Sequence, residues 1–132
     1  MNALALPALI TLLTVVLLFG TAAHVGRMRG RHRVQPPATT GHPEFERAYR
    51  VQMNSNESAV MFLPVLWLAA LYWDPQQAAA LGAVWLGGRV WYAVSYARAP
   101  EQRGRGFLLG VLAWAALTLL AAAGIGRALL AS

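Results

Sequence analysis

The run Glu46-Arg47-Ala48-Tyr49-Arg50-Val51-Gln52-Met53-Asn54-Ser55-Asn56-Glu57 places ionisable and amide side chains directly ahead of an apolar stretch, Ser58–Trp73. At about 100° per residue, Glu46, Arg50, Asn54 and Glu57 fall on one face of a helix. Only 16 residues separate Glu57 from Asp74. At ~1.5 Å per residue that is too short for a hydrocarbon core of ~30 Å, so a spanning helix here would begin with polar turns at or inside the membrane. Charge at that depth is costly and marks a site that faces protein or water instead of lipid. A second polar set lies on another apolar segment, where Arg89 shares a face with Trp85, Tyr92 and Tyr96 at spacings of four, three and four. Two helices with polar stripes toward the same end are how a bundle builds a ligand site.

Composition narrows the chemistry. The chain has 132 residues, 58% of them hydrophobic and 12% charged, whereas a soluble domain carries roughly a quarter charged residues. It reads as one membrane domain with no separate soluble module. All 11 basic residues are Arg and the net charge is +6. Most of these arginines sit in two short segments that flank apolar runs, the positive-inside signature of cytoplasmic loops, so nucleic acid is not the expected partner. Cysteine is absent, which excludes disulfides, thiolate metal sites and a protein thiol nucleophile; sulfur chemistry would need a thiol brought in by a ligand. His24, His32 and His42 lack the i, i+4 spacing of a helical metal pair, and no metal is expected.

The elements that must position these residues follow from the apolar runs. Ala3–Val25 carries no formal charge and is long enough to span. The basic cluster comes after it and not before it, which argues for a retained helix over a cleaved signal peptide. Arg27, Arg29, Arg31 and Arg33 lead into a loop rich in Pro and Gly, residues 34–43. Asp74-Pro75 marks a tight, nearly uncharged turn, and residues 98–106 form a second basic loop. The expected fold is all-α, an integral membrane bundle of four transmembrane helices at approximately 3–26, 44–73, 76–97 and 107–129. Both arginine-rich loops then lie on the cytoplasmic side of a bacterial inner membrane, with both termini outside. Trp67, Trp73, Trp85 and Trp114 read as packing or interface anchors, and Gly82, Gly87 and Gly88 as positions permitting close helix contact.

The pattern also resembles a known family. Pro36-Pro37-x-Thr39-Thr40-Gly41 precedes Glu44-Phe45-Glu46-Arg47-x-Tyr49-Arg50-x-Gln52-x-Asn54-x-x-Glu57. Phe62-Leu63-x-x-Leu66-Trp67 follows, then Arg89-x-x-Tyr92-x-x-x-Tyr96-x-Arg98, with Arg103 beyond. Together these are similar to the MAPEG proteins, the membrane-associated proteins of eicosanoid and glutathione metabolism, above all their leukotriene C4 synthase and microsomal glutathione transferase branch. The resemblance implies a homotrimer of four-helix protomers that binds glutathione between subunits near the cytoplasmic surface. It implies glutathione contacts from Arg29, Arg50, Gln52, Asn54, Glu57, Tyr92 and Tyr96, and thiolate stabilisation by Arg103.

Those implied roles suit the ligand. Glutathione carries two carboxylates, one ammonium and a thiol, so its site needs cations, an anion and amide hydrogen-bonders. Arg29 and Arg50 can fork onto carboxylates, Glu57 can pair with the ammonium, and Gln52 and Asn54 can read peptide groups. The co-reactant would be a hydrophobic electrophile or a lipid hydroperoxide arriving from the membrane lipid. Two departures from members close to leukotriene C4 synthase, Ser58 in place of Tyr and Gly30 in place of a second Arg, favour a generic glutathione transferase or peroxidase. Two other readings compete: a non-enzymatic lipid-binding or scaffold member like the five-lipoxygenase-activating protein, and a small proton-coupled exporter using Glu57. In simpler terms, Glu57 could pair with Arg50 or Arg89 to hold helices together.

Overall fold

Four long helices follow one another with short connections. The computed structural model describes residues 2–132: α1 Ala5–His32, α2 Pro43–Tyr72, α3 Pro75–Arg98 and α4 Gly104–Ala131, with one 3₁₀ turn, Pro100–Gln102, before α4. They run 28, 30, 24 and 28 residues, or roughly 36–45 Å at 1.5 Å per residue. No strand occurs among the described residues. By length and composition, α1 and the segment ending in α4 are apolar enough to cross a membrane.

The starts of α2 and α3 follow ordinary capping chemistry. His42 is extended, and its Nδ1 accepts from the Glu44 N–H at 3.1 Å, with Pro43 in the first turn. Asp74 caps α3 by accepting from the Gln77 N–H at 2.8 Å, with Pro75 in the first turn. Proline fits there because its missing N–H would have had no partner in the helix.

Two boundaries differ from the sequence expectation. α1 does not stop near residue 26 but continues to His32, and Arg33 closes it at φ 56°. Arginine is a good helix former, and Arg29 and Arg31 place positive charge at the negative end of the helix dipole. The arginines therefore extend the helix as well as following its apolar run. α4 begins at Gly104, three residues earlier than expected, because Gly106 is a packing position and not a turn.

Beyond the α1 terminus a polar clasp holds the α1–α2 loop. His32 Nε2 and Glu44 Oε1 lie 2.6 Å apart, Arg31 Nε approaches the same oxygen at 3.7 Å, and the His32 and His42 rings stack at 3.6 Å. Gly41 has φ +150°, and a Cβ there would meet Val34 Cγ2 at 3.1 Å, so this corner suits glycine.

Inside the bundle the core combines small residues with a few large ones. Phe62, Leu66, Ala69, Ala78 and Leu117 are fully enclosed, and Phe62 stacks on Trp85 with ring centroids 3.7 Å apart. Trp67 donates to Thr11 Oγ1 and Trp114 to the Met61 carbonyl, so both act as anchors between helices. The outward faces are apolar: Phe19 and Val60 are each 74% exposed and Leu119 is 70% exposed. Such an exterior is that of a bundle whose outer face meets an apolar medium.

α3 and α4 meet backbone to backbone. A Cβ on Gly88 would come within 2.9 Å of the Gly110 N and 3.0 Å of the Gly106 O, and one on Gly106 within 2.5 Å of the Tyr92 N. Gly82 likewise faces Leu66 and Ile10, whereas Gly87 has nothing within 4 Å. The expectation of close contact thus holds for Gly82 and Gly88 but not for Gly87, which sits on the outer side of α3.

Because the atoms facing Gly106 are main chain and cannot move aside, Gly106→Ala should lower the thermal midpoint in detergent, a cost of about 1–3 kcal/mol for overpacking. Gly87→Ala should leave the midpoint unchanged or raise it slightly through helix propensity. Equal midpoints for the two variants would refute the backbone contact.

Candidate functional site

Arg89 dominates the interior. Its residue is 2% exposed, and its Nη2 donates to Asn54 Oδ1 at 2.8 Å and to Ser55 Oγ at 3.0 Å, both on α2. Its guanidinium carbon also lies 4.2 Å from the centre of the Tyr92 ring. Its Nε is buried without a hydrogen-bond partner. Sequence reasoning placed Arg89 on the right face of α3 but left Glu57 open as its partner. Glu57 is exposed, and Asn54 and Ser55 take that place. Among the described residues, side-chain ion pairs are confined to Glu44 with Arg31 and His32.

Next to this cluster, α2, α3 and the start of α4 enclose a cavity of about 440 Å³ lined by Asn54, Tyr92, Glu101, Arg103, Gly104 and Phe107. Three residues singled out from the sequence, Asn54, Tyr92 and Arg103, therefore converge. A fourth, Tyr96, is attached to them: its ring packs 5.6 Å from Tyr92, and the Arg103 guanidinium carbon lies 5.6 Å from its centre. Arg103 is held from the other side by donating from Nη1 to the Pro100 carbonyl at 2.7 Å. The 3₁₀ turn between α3 and α4 thus aims this arginine back over the end of α3.

The remaining candidates do not line this cavity within one chain. Arg50 and Glu57 lie on the exposed face of α2 with Glu46, and Gln52 is half-buried. Arg29 is tied into the α1–α2 loop, donating to the Ala38 carbonyl at 2.8 Å and resting 4.7 Å from the centre of the Phe45 ring.

A smaller cleft of about 120 Å³ is lined by Arg89 itself together with Ser58, Met61, Trp85, Phe107, Gly110, Val111 and Trp114. Phe107 borders both spaces. A cavity carrying the Arg103 and Glu101 charges and a largely apolar cleft thus share one wall. That suits two reactants of opposite polarity. No group of three or more His, Cys, Asp or Glu residues able to hold a metal occurs among the described residues.

The MAPEG family model matches residues 7–123. The chain belongs to the MAPEG family. Among relatives of this MAPEG chain, protein sll1147 of Synechocystis is 54% identical over 106 residues, covering 80% of this chain and 77% of that protein. Human microsomal glutathione S-transferase 2 is 42% identical over 109 residues, 83% of this chain and 74% of its own length. Leukotriene C4 synthase of Cavia porcellus is 46% identical over 99 residues, 75% of this chain and 66% of its own length. The matched region contains every candidate residue named above, and membership makes the apolar exterior that of a membrane protein.

One titrating contact holds the loop that carries the Arg29 partner Ala38. The His32 hydrogen bond, assisted by Arg31, holds the Glu44 carboxyl below its usual range. A carboxylate lowered in the folded state contributes stability above its unfolded value, and this is lost as pH falls through the folded value. The stability advantage of the wild type over Glu44→Gln should therefore be present at neutral pH and disappear in the acid range below about pH 4. Since Glu44 is open to solvent, the effect should be small and reduced by salt. Thermal midpoints of both proteins across pH check it; a gap that widens on acidification would contradict the clasp.

Proposed function

We propose that the protein is a membrane glutathione S-transferase that stabilises the glutathione thiolate for attack on hydrophobic electrophiles. The observation that carries this reading is the convergence of Asn54, Tyr92 and Arg103 on one polar cavity beside an apolar cleft. Family membership and the names of two relatives, a glutathione S-transferase and a leukotriene C4 synthase, support the same chemistry.

The thiol must be ionised before it can react. A free thiol has a pKa near ~8.5, so only a few per cent is thiolate at neutral pH. A guanidinium beside the sulfur favours the charged form, at about 1.4 kcal/mol per pKa unit. Arg103 suits this role because guanidinium is a permanent cation and no carboxylate lies within ion-pair distance of it among the described residues, although Glu101 lines the same cavity. It acts by charge and does not take the proton, which passes to solvent. The thiolate sulfur then forms a bond to the electrophilic carbon. The displaced pair leaves with a leaving group, or takes up a proton in an addition. With a lipid hydroperoxide as the electrophile, sulfur attacks the O–O bond; a second glutathione completes the reduction, giving alcohol, water and glutathione disulfide.

Arg29, Arg50, Gln52 and Glu57 complete the proposed site as contacts for the carboxylates, the peptide and the ammonium. That they do not line the single-chain cavity fits a homotrimer in which neighbouring copies close each site. The orientation that goes with this reading has the arginine-rich loops, and so the glutathione cavity, on the cytoplasmic side of a bacterial inner membrane. Glutathione would enter from water and the electrophile from lipid.

Detergent-solubilised protein should bind glutathione in a calorimetric titration and conjugate it to an aromatic electrophile or reduce a lipid hydroperoxide. Arg103→Ala should diminish the near-ultraviolet absorbance of bound thiolate and lower turnover at neutral pH by about tenfold or more, as expected for loss of one charge-stabilising group. The deficit should narrow as pH rises and the thiol ionises unaided. An unchanged thiolate signal in folded Arg103→Ala would reject this role. Arg50→Ala and Glu57→Ala should act first on glutathione affinity; unaltered affinity in both would remove them from the site.

A further inference from the structure

We infer that Arg89 is a positioning residue that turns the Asn54 carboxamide so that its N–H₂ group, and not its oxygen, serves the cavity. Asn54 is thereby committed as a hydrogen-bond donor to an acceptor atom of the bound peptide, a carbonyl, carboxylate or thiolate. The inference rests on the glutathione reading above and deepens it.

The orientation follows from the chemistry of the partners. An asparagine side chain offers either an acceptor oxygen or two N–H donors, and a 180° flip exchanges them. Guanidinium has donors only. The atom of Asn54 that sits 2.8 Å from Arg89 Nη2 must therefore be the oxygen. Because Asn54 also lines the cavity, the group left to serve it is the amide N–H₂. Without Arg89 the carboxamide could present either end, and half of its orientations would put a lone pair toward an anionic ligand.

Arg89 is itself fixed strongly enough to impose this. The same Nη2 donates to Ser55 Oγ, the adjacent residue on α2. The Tyr92 ring covers the cation from one turn further along α3. The preceding residue, Gly88, sits where α3 and α4 touch main chain to main chain, so the backbone beneath the arginine cannot drift. A buried cation this constrained polarises the amide it holds, making its N–H groups stronger donors.

Asn54→Asp separates a donor from an acceptor. The aspartate keeps an oxygen for Arg89, so the bundle is retained, but its second oxygen accepts and cannot donate. The thermal midpoint should hold or rise while glutathione affinity falls by at least about tenfold, the usual scale for losing a hydrogen bond to a charged group. Were Asn54 an acceptor for the ligand ammonium, the same change would tighten binding.

Mediation by Arg89 is tested by a double-mutant cycle with Arg89→Met and Asn54→Ala. Arg89→Met should raise KM for glutathione more than it lowers kcat, and it should have little further effect on affinity in the Asn54→Ala background. Additive losses, or Asn54→Asp affinity equal to or above wild type, would overturn the inference while leaving the transferase reading intact. Failure of the wild type to bind glutathione would overturn both. If Arg89→Met does not fold, the Asn54→Asp result decides.

Discussion

A guanidinium enclosed within a bundle of four helices must be solvated by its neighbours, and much of this protein is arranged to do that. An unpaired buried ion is among the most expensive features a fold can carry. Here the cost is met by two oxygens from one turn of α2 and by an aromatic face from α3. None of these is charged, so the positive charge is spread but not cancelled. The same contacts cross-link α2 to α3 at the level where Asn54 and Tyr92 reach that cavity, so one set of bonds serves stability and site geometry together.

That arrangement depends on how closely α3 and α4 approach. With Gly88 facing Gly106 and Gly110, the two backbones meet without side chains between them. A larger residue at Gly106 would push α4 outward and carry the turn at Pro100–Gln102 with it. Arg103 stands at the end of that turn and reaches back over Tyr96. A spacing set by glycine hydrogens between α3 and α4 thus determines where the Arg103 cation sits.

Much of this was legible in the sequence. Four apolar runs, two proline-led helix starts and two basic loops gave the element order, because length, capping and charge patterning are local properties. The faces of α2 and α3 were legible too: 3.6-residue periodicity puts Asn54 on the stripe with Arg50, and Arg89 on the stripe with Tyr92. The partner of Arg89 was not. Periodicity says which way a residue points around its own helix but nothing about the height at which two helices are in register. Glu57 is the electrostatically obvious partner, yet Asn54 lies one turn lower and meets the guanidinium instead. The end of α1 was misplaced for a related reason: a change from apolar to basic composition marks a change of solvent, and a run of arginines does not break a helix. Gly106 looks like loop glycine because it closes the basic run Arg103-Gly104-Arg105, and only the packed structure shows that it is a contact.

The exposed stripe on α2 poses the last physical question. Glu46, Arg50 and Glu57 project from one side of a helix whose continuation, through Val60 and Met61, is exposed and apolar. At the outer turns such charges can be reached by water, but Glu57 lies immediately before the apolar stretch, where acyl chains solvate a carboxylate poorly. Long side chains such as Arg50 can snorkel toward the interface, whereas a glutamate is shorter and reaches less far. A second protein surface resolves the conflict better than lipid does, because it can supply hydrogen-bond partners at fixed depth. In the proposed homotrimer, the charges that a single chain leaves unpaired would be the ones available to a polar ligand held between copies. In that proposed homotrimer, the binding chemistry would be divided between surfaces that meet on assembly, which would account both for the cavity that one chain leaves open and for the polar stripe on α2.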